Sequence, residues 1–418
     1  MNVVIGREVM KQQELIPHLF KTEFSKITTV LCKLFGIEHI EIAEDIASET
    51  FLLAFETWPF KGVPENPTAW LYTVAKNKTK NHIKRHHFFV NKVSDQIKQS
   101  TSESIDAQID SFEQNITDSQ LQMLFAVCHP SISKESQIAL SLRVLCGFGI
   151  DEIATAFLTD KETINKRLYR AKEKLRTGNV PMEIPNDTEI GNRLDTVLTT
   201  LYLLYSEGYY SESQNDTIRE DLCQEAMRLT NLLIEYEMTN RPAVNALLSL
   251  MCFQSSRFAA RKKETSVTVL YQDQDESLWN HELIAKGAYY LQQASHGNEL
   301  SRYHLEASIA YWHTIKADTP EKWENILLHF NQLLQIEYSP IAALNRTYAL
   351  SKVHGKERAI AEAEKLTLTD NHFYFALLGE LYTDIDNKKA KEYFQAAYAL
   401  AKTLTDKQTI QNKLARIN

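Results

Sequence analysis

"GIDEIATAFLTDKETINKRLYRAKEKLR", residues 149–176, opens acidic and closes strongly basic. Ile164, Leu168, Ala171 and Leu175 recur at helical intervals as one apolar stripe, while Lys166 and Arg170 project from the opposite side. Upstream, Ile153, Ala154 and Phe157 predict a shorter helix that packs on that stripe, and Asp160 is placed to cap the second helix. This is helix-turn-helix logic: a second helix lying in a major groove would bring Glu162, Thr163, Lys166 and Arg167 nearest the bases. The turn has Leu158 where Gly is usual, so a purely structural helix hairpin fits the same residues.

The N-terminal block adds what this segment lacks. In "EIAEDIASETFLLAFETW", residues 41–58, Ala43, Ile46, Ala47, Thr50, Phe51, Ala54 and Trp58 share one helix face. The opposite face holds Glu41, Asp45, Glu49 and Glu56 around Leu52, which suits a basic protein partner or a simply solvated surface. A loop, "PFKGVPENP", follows from Pro59, and Asn66 with Pro67 marks the start of the next helix. That helix packs through Leu71, Val74 and Ala75, then turns polar almost all round from Lys76 to His87. A helix polar on every side needs an outside reason to persist, and DNA phosphates provide one.

Charge is distributed to match. The net charge of −8 divides into +2 for residues 1–92, −4 for 93–117, +2 for 118–178 and −8 for the rest. Residues 70–92 carry six basic side chains and no acid, and residues 161–176 carry seven basic ones against Glu162 and Glu173. Two basic patches flanking an acidic, Ser- and Gln-rich spacer predict two contacts with a polyanion, joined by a linker over 93–117. At 418 residues the chain should form roughly two to four domains. With 12 Gly and 10 Pro there is little punctuation for a β architecture, so the fold expected is all-α. No apolar run reaches the ~18 to 20 residues of a membrane helix and no signal peptide is evident, which predicts a cytoplasmic protein without membrane contact. The five cysteines form no CxxC pair and are expected to be reduced core thiols.

"AEDIASETFLLAFETWPFKGVPENPTAWLYTVAKNKTKNHIKRHH" followed by "EIATAFLTDKETINKRLYRAKEKLR" resembles bacterial RNA polymerase sigma factors of the extracytoplasmic-function type. The first stretch, within 8–92, looks like their region two; the second, within 118–178, looks like their region four. The resemblance implies that Glu41, Asp45, Glu49 and Leu52 dock on the clamp coiled coil of core polymerase, with the flap as a further contact. It also implies that the loop with Phe60, Lys61 and Asn66 captures a base flipped from the minus-ten element, Phe60 either stacking or anchoring the loop. Lys76, Asn77, Lys80, Lys84 and Arg85 would line the promoter there, and Thr163, Lys166, Arg167 and Arg170 would contact the minus-35 element. Asn81 stands where relatives commonly carry an acid, and Thr79 and Lys80 where small or apolar residues are usual, so promoter preference does not transfer.

Beyond a Pro-, Gly- and Asn-rich boundary at 179–190, residues 191–418 read as helix hairpins and resemble the long C-terminal extension of one subgroup of these factors. Leu344, Asn345 and Tyr348 recur 34 residues later as Leu378, Gly379 and Tyr382, the period of tetratricopeptide-like helix pairs. "SEGYY", with Arg219 and other arginines nearby, forms either a binding pocket or buried polar contacts between stacked helices. Tyr205, Tyr209 and Arg219 are expected to mediate inter-domain, regulatory contacts, with a protein regulator as a further partner. No enzymatic activity and no cofactor or metal are expected: "HELIA" at 281–285 lacks a second zinc-ligand His, and no phosphate-loop or dinucleotide glycine pattern occurs. The rival reading is a stand-alone helix-turn-helix regulator with a repeat-type sensor, which would need neither the acidic docking helix nor polymerase.

Overall fold

A computed structural model of the protein describes residues 2–90, 116–157, 159–209, 220–261, 269 and 271–417. Every regular element among the described residues is helical, and the chain divides into two compact units, Met1–Leu204 and Tyr205–Asn418.

The first unit begins with α1 (Asn2–Phe35), a single 3-10 turn (Ile37–His39), α2 (Ile40–Lys61) and α3 (Pro67–Val90). Gly36 separates α1 from the turn at φ 90, where a side chain would be strained and a Cβ would strike the Glu38 carboxylate. All seven apolar-face residues expected on α2, from Ala43 to Trp58, are buried, and Phe51 meets Phe20 of α1 edge-on at 5.1 Å. Helix α2 runs through Pro59 to Lys61, so the loop begins at Gly62 and not at Pro59 as expected. A proline so near the end forfeits one hydrogen bond, and the Gly62 amide closes the last turn on the Trp58 carbonyl at 3.0 Å. Asn66 caps α3 by accepting from the Ala69 amide at 3.0 Å. The polar stretch of α3 is not solvated all round: Thr79 is fully buried and the His82 ring lies 5.8 Å from Phe35 of α1. Packing on α1 therefore supplies the support that DNA alone was expected to give.

Residues 93–115 of the expected linker lie outside the described residues, and its last two, Ile116 and Thr117, already open α4 (Ile116–Val127). Next come α5 (Lys134–Leu140), which continues as a π-helical turn (Ser141–Leu145), α6 (Ile150–Ala156) and α7 (Lys161–Thr177). Ser133 caps α5 through the Ser136 amide, and Asp160 caps α7 through the Thr163 amide at 2.7 Å. The stripe Ile164, Leu168, Ala171 and Leu175 is buried, with Ile153 and Ala154 buried beside it. Helix α1 packs on α2, on α4 and on the π-helical turn, while α7 packs on the Ile37–His39 turn, so the two modules form one compact body.

The division between the two compact units falls at Leu204, inside α8 (Asp187–Tyr209). The early turns of α8 are bonded into the first unit: Arg193 donates to the Phe125 carbonyl at 2.6 Å and Thr200 to the Gln137 side chain at 3.3 Å.

The second unit continues through α9 (Glu220–Glu235), α10 (Pro242–Ser255), α11 (Phe258–Arg261), α12 (His281–Ala294), α13 (Arg302–Trp312), α14 (Pro320–Ile336), α15 (Pro340–His354), α16 (Lys356–Ala363), α17 (His372–Tyr382), α18 (Asn387–Leu400) and α19 (Leu404–Ala415). The 34-residue echo falls on α15 and α17, where Leu344 and Leu378 are buried. Gly379 lets α17 approach α18 closely, since a Cβ there would sit 2.8 Å from the Phe394 ring. The interior also holds polar groups. Lys322 is wholly buried and donates to the Tyr271 hydroxyl at 2.8 Å and the Ile315 carbonyl at 2.6 Å; burial brings its pKa down to about 8.

Burial, reinforced by Arg257 and Lys322, brings the pKa of His313 down to about 3 from its ordinary 6.5. The folded chain keeps this imidazole neutral while the unfolded chain takes up a proton, so His313 withdraws stability as pH falls from 6.5 toward 3. The slope should approach ~1.4 kcal/mol per pH unit. Urea titrations between pH 7 and pH 5 should show the loss, and His313→Gln should flatten it; equal slopes in both proteins would refute the assignment.

Candidate promoter and polymerase interfaces

The outward face of α2 carries Glu41, Asp45, Glu49 and Glu56, all exposed. At its centre Leu52 is 55% exposed and Phe55, which sequence reasoning passed over, is 65% exposed. Their i, i+3 spacing joins them into one apolar spot ringed by carboxylates. Lys78 of α3 pairs with Glu49 at 2.7 Å, fixing α3 against one end of this face.

Past α2, Phe60 is 89% exposed and Lys61 is exposed in the last helical turn. The chain then reverses at Gly62, whose φ of 84 is open only to glycine at low cost. Asn66 is committed to capping α3. Along α3, Asn77 is exposed and Lys76 and Lys80 are half-buried. Lys84 and Arg85 belong to the helical backbone, but their side chains lie outside the described residues. Trp70 packs edge-on against Trp58 at 5.4 Å, which fixes the angle between α2 and α3.

In the helix-turn-helix, Lys166 and Arg170 are exposed on one side of α7, and Lys166 pairs with Glu162 one turn back at 2.6 Å. Thr163 spends both its amide and its hydroxyl on Asp160, whose carboxyl those bonds hold below its ordinary pKa. Arg167 lies over the Phe157 ring at 5.0 Å, half-buried between the two helices. Tyr169, 64% exposed, joins Lys166 and Arg170 on the open side of α7 and was not expected there. An exposed aromatic among basic side chains suits a nucleic-acid surface, and its period along α7 was visible in the sequence.

A further residue outside the expected set is Glu44. It is 9% exposed and bridges Arg143 Nε at 3.0 Å and Lys172 Nζ at 2.5 Å. These partners stand 99 and 128 residues downstream, beyond the reach of helical periodicity.

In the second unit Tyr205 donates to the Met251 carbonyl at 3.1 Å and is hydrogen-bonded to the Ser255 hydroxyl at 2.8 Å. Its ring stacks on Tyr209 at 5.9 Å, and the Arg261 guanidinium covers Tyr209 at 4.2 Å. These contacts all lie inside that unit; Arg219 lies outside the described residues. Among the described residues no group of His, Cys, Asp and Glu is placed to hold a metal ion, and no helix is long and apolar enough to cross a membrane.

Comparison with known proteins agrees with this layout. Sigma-70 region 2 matches residues 21–88, Sigma-70 region 4 matches residues 122–175, and a family of unknown function (DUF6596) matches residues 193–295. An uncharacterized protein, R00370, of Rhizobium meliloti (strain 1021) is 30% identical over 382 residues, covering 90% of each chain. No solved structure matches the chain. Helix α2 with its acidic face, the basic helix α3 and the helix-turn-helix stand in the order in which both sigma-70 regions match. The chain therefore belongs to the sigma-70 family of RNA polymerase sigma factors, of the extracytoplasmic-function type, with an additional C-terminal helical domain.

Proposed function

We propose that this sigma factor docks on core RNA polymerase through the outer face of α2, reads a promoter with α3 and α7 separately, and is modulated by its C-terminal unit. The observation that carries the reading is the α2 face, where exposed Leu52 and Phe55 are ringed by Glu41, Asp45 and Glu49. Exposed apolar side chains within an acidic ring suit a partner with an apolar centre and a basic rim, here the clamp coiled coil. The flap would receive the second module. The protein acts by binding, in the cytoplasm, without a chemical step of its own.

Promoter elements named minus-ten and minus-35 stand about 25 base pairs, or ~85 Å, apart along B-form DNA. The 25 residues between α3 and α4 can span ~80 to 90 Å when extended, which supports reading both from one polymerase. The decisive experiment is promoter-specific initiation by purified protein with core polymerase. Strong sequence-specific binding by the free protein, without polymerase, would instead favour a self-sufficient regulator.

Reversing charge with Asp45→Lys and Glu49→Lys should weaken core polymerase binding at least tenfold while moving folding stability by no more than ~0.5 kcal/mol, because exposed pairs contribute little. Fluorescence anisotropy with labelled core, beside urea denaturation, reads both; unchanged affinity would place docking elsewhere.

Lys166→Ala with Arg170→Ala should reduce initiation at a promoter with an intact upstream element and lower the salt slope of the complex by about one to two. An unchanged salt slope would remove these side chains from the DNA contact.

Ending the chain after Leu204 retains the turns of α8 bonded to Phe125 and Gln137. This truncation should alter transcription several-fold in either direction under a modulatory role. Unaltered level and unaltered response to inducing conditions would show that the C-terminal unit does not modulate.

A further inference from the structure

The geometry points to Glu44 as a latch that holds the promoter-reading modules together in the free protein and must release before both can engage a promoter. The inference rests on the sigma reading above for its consequence, but not for the contact itself. Glu44 is buried where the neighbouring acids Glu41, Asp45 and Glu49 of α2 are exposed, and each of its oxygens takes one cation of the second module, Arg143 on the π-helical turn and Lys172 on α7. Arg143 is further committed to that junction. Its guanidinium donates to the Phe148 carbonyl at 3.2 Å and lies 5.8 Å from the Phe24 ring of α1.

The side chains of Glu44, Lys172 and Arg143 are 11%, 16% and 21% exposed, so water screens these charges poorly and the contact is directional. Two modules that operated while packed together would need no 25-residue connection between α3 and α4. Side chains expected at DNA stay outside the closed contact, with Lys166 and Arg170 exposed on α7 while Lys172 of the same helix points inward. Closure therefore leaves each surface available singly and forbids the separation needed to engage clamp and flap of polymerase, and both elements of one promoter, together. Opening subtracts from the affinity for polymerase, as for any protein whose competent state is a minor one.

Cys32 of α1 reports on this contact. It is fully buried, close enough to feel the charges of both Glu44 and Lys172, and burial holds its thiol far above the ordinary pKa. Cys128, also fully buried, lies within the second module near Thr200 and Ser141 and reports unfolding instead.

Alkylation of the full-length protein with N-ethylmaleimide, mapped by peptide mass spectrometry, reads both thiols. Glu44→Gln should speed Cys32 modification about tenfold or more with little change at Cys128, and should tighten core polymerase binding several-fold. Lys172→Gln should act in the same direction, and the double variant should add little, because both changes break one contact. Unchanged Cys32 labelling in Glu44→Gln, parallel acceleration at Cys128, or faster Cys32 labelling with unchanged or weakened polymerase binding would each overturn the latch. Failure of the wild-type protein to bind core polymerase would defeat the sigma reading, while the Cys32 comparison would still decide the contact.

Discussion

In the first unit the largely buried carboxylate of Glu44 is met by two cations of the second module, Arg143 and Lys172. Apolar packing of α1 on α4 brings the two modules together but tolerates sliding; ion pairs to two defined nitrogens do not. The carboxylate thereby joins α2 to α7, which also packs on the Ile37–His39 turn and keeps Lys166 and Arg170 exposed. Removing one partner would leave the others poorly solvated, so the three side chains are energetically coupled.

The same helices serve an inner and an outer surface, and 3.6-residue periodicity keeps the two apart. In α2 the buried line from Ala43 to Trp58 meets α1 through Phe51, leaving Leu52 and Phe55 exposed. In α7 the stripe from Ile164 to Leu175 is spent on the helix-turn-helix core, and charge is sorted by side. Lys172 turns toward Glu44 and Arg167 toward Phe157, while Lys166 and Arg170 stay in water. Seven basic side chains between Lys161 and Arg176 thus divide into structural and available groups that composition cannot separate.

The C-terminal unit departs from the plainest form of stacked helices, in which apolar ridges fill apolar grooves. Around Tyr271 its interior gathers Lys322, Arg257 and His313, with Lys316 donating to the carbonyls of Tyr271, Gln272 and Gln274 at 2.9, 3.0 and 2.9 Å. Buried cations on an aromatic ring hold a loop in place by direction as well as by area. The Tyr205 cluster works in the same way, with its hydroxyl tied to Met251 and Ser255. Tyr209 stacks on Tyr205 and is covered by the Arg261 guanidinium.

The helical architecture, the capping of α3 by Asn66 and of α7 by Asp160, the buried stripes of α2 and α7 and the order of the two sigma regions were legible in the sequence. Each depends on spacing within one or two helical turns, which linear reading measures directly. Family resemblance supplied the functional assignment of those surfaces, since an acidic helix face by itself is equally a solvated one. Tertiary structure alone decided that Glu44 is the buried acid among the four between Glu41 and Glu49, because its partners lie 99 and 128 residues away. It also decided that Thr79 is buried, that His82 meets Phe35 of α1, and that α2 persists through Pro59. The place of the early turns of α8 within the first unit has the same origin, in the bonds of Arg193 and Thr200 to α4 and α5. Periodicity tells which side of a helix is apolar; which distant side chain meets a polar group on that side is set by the packing of whole elements.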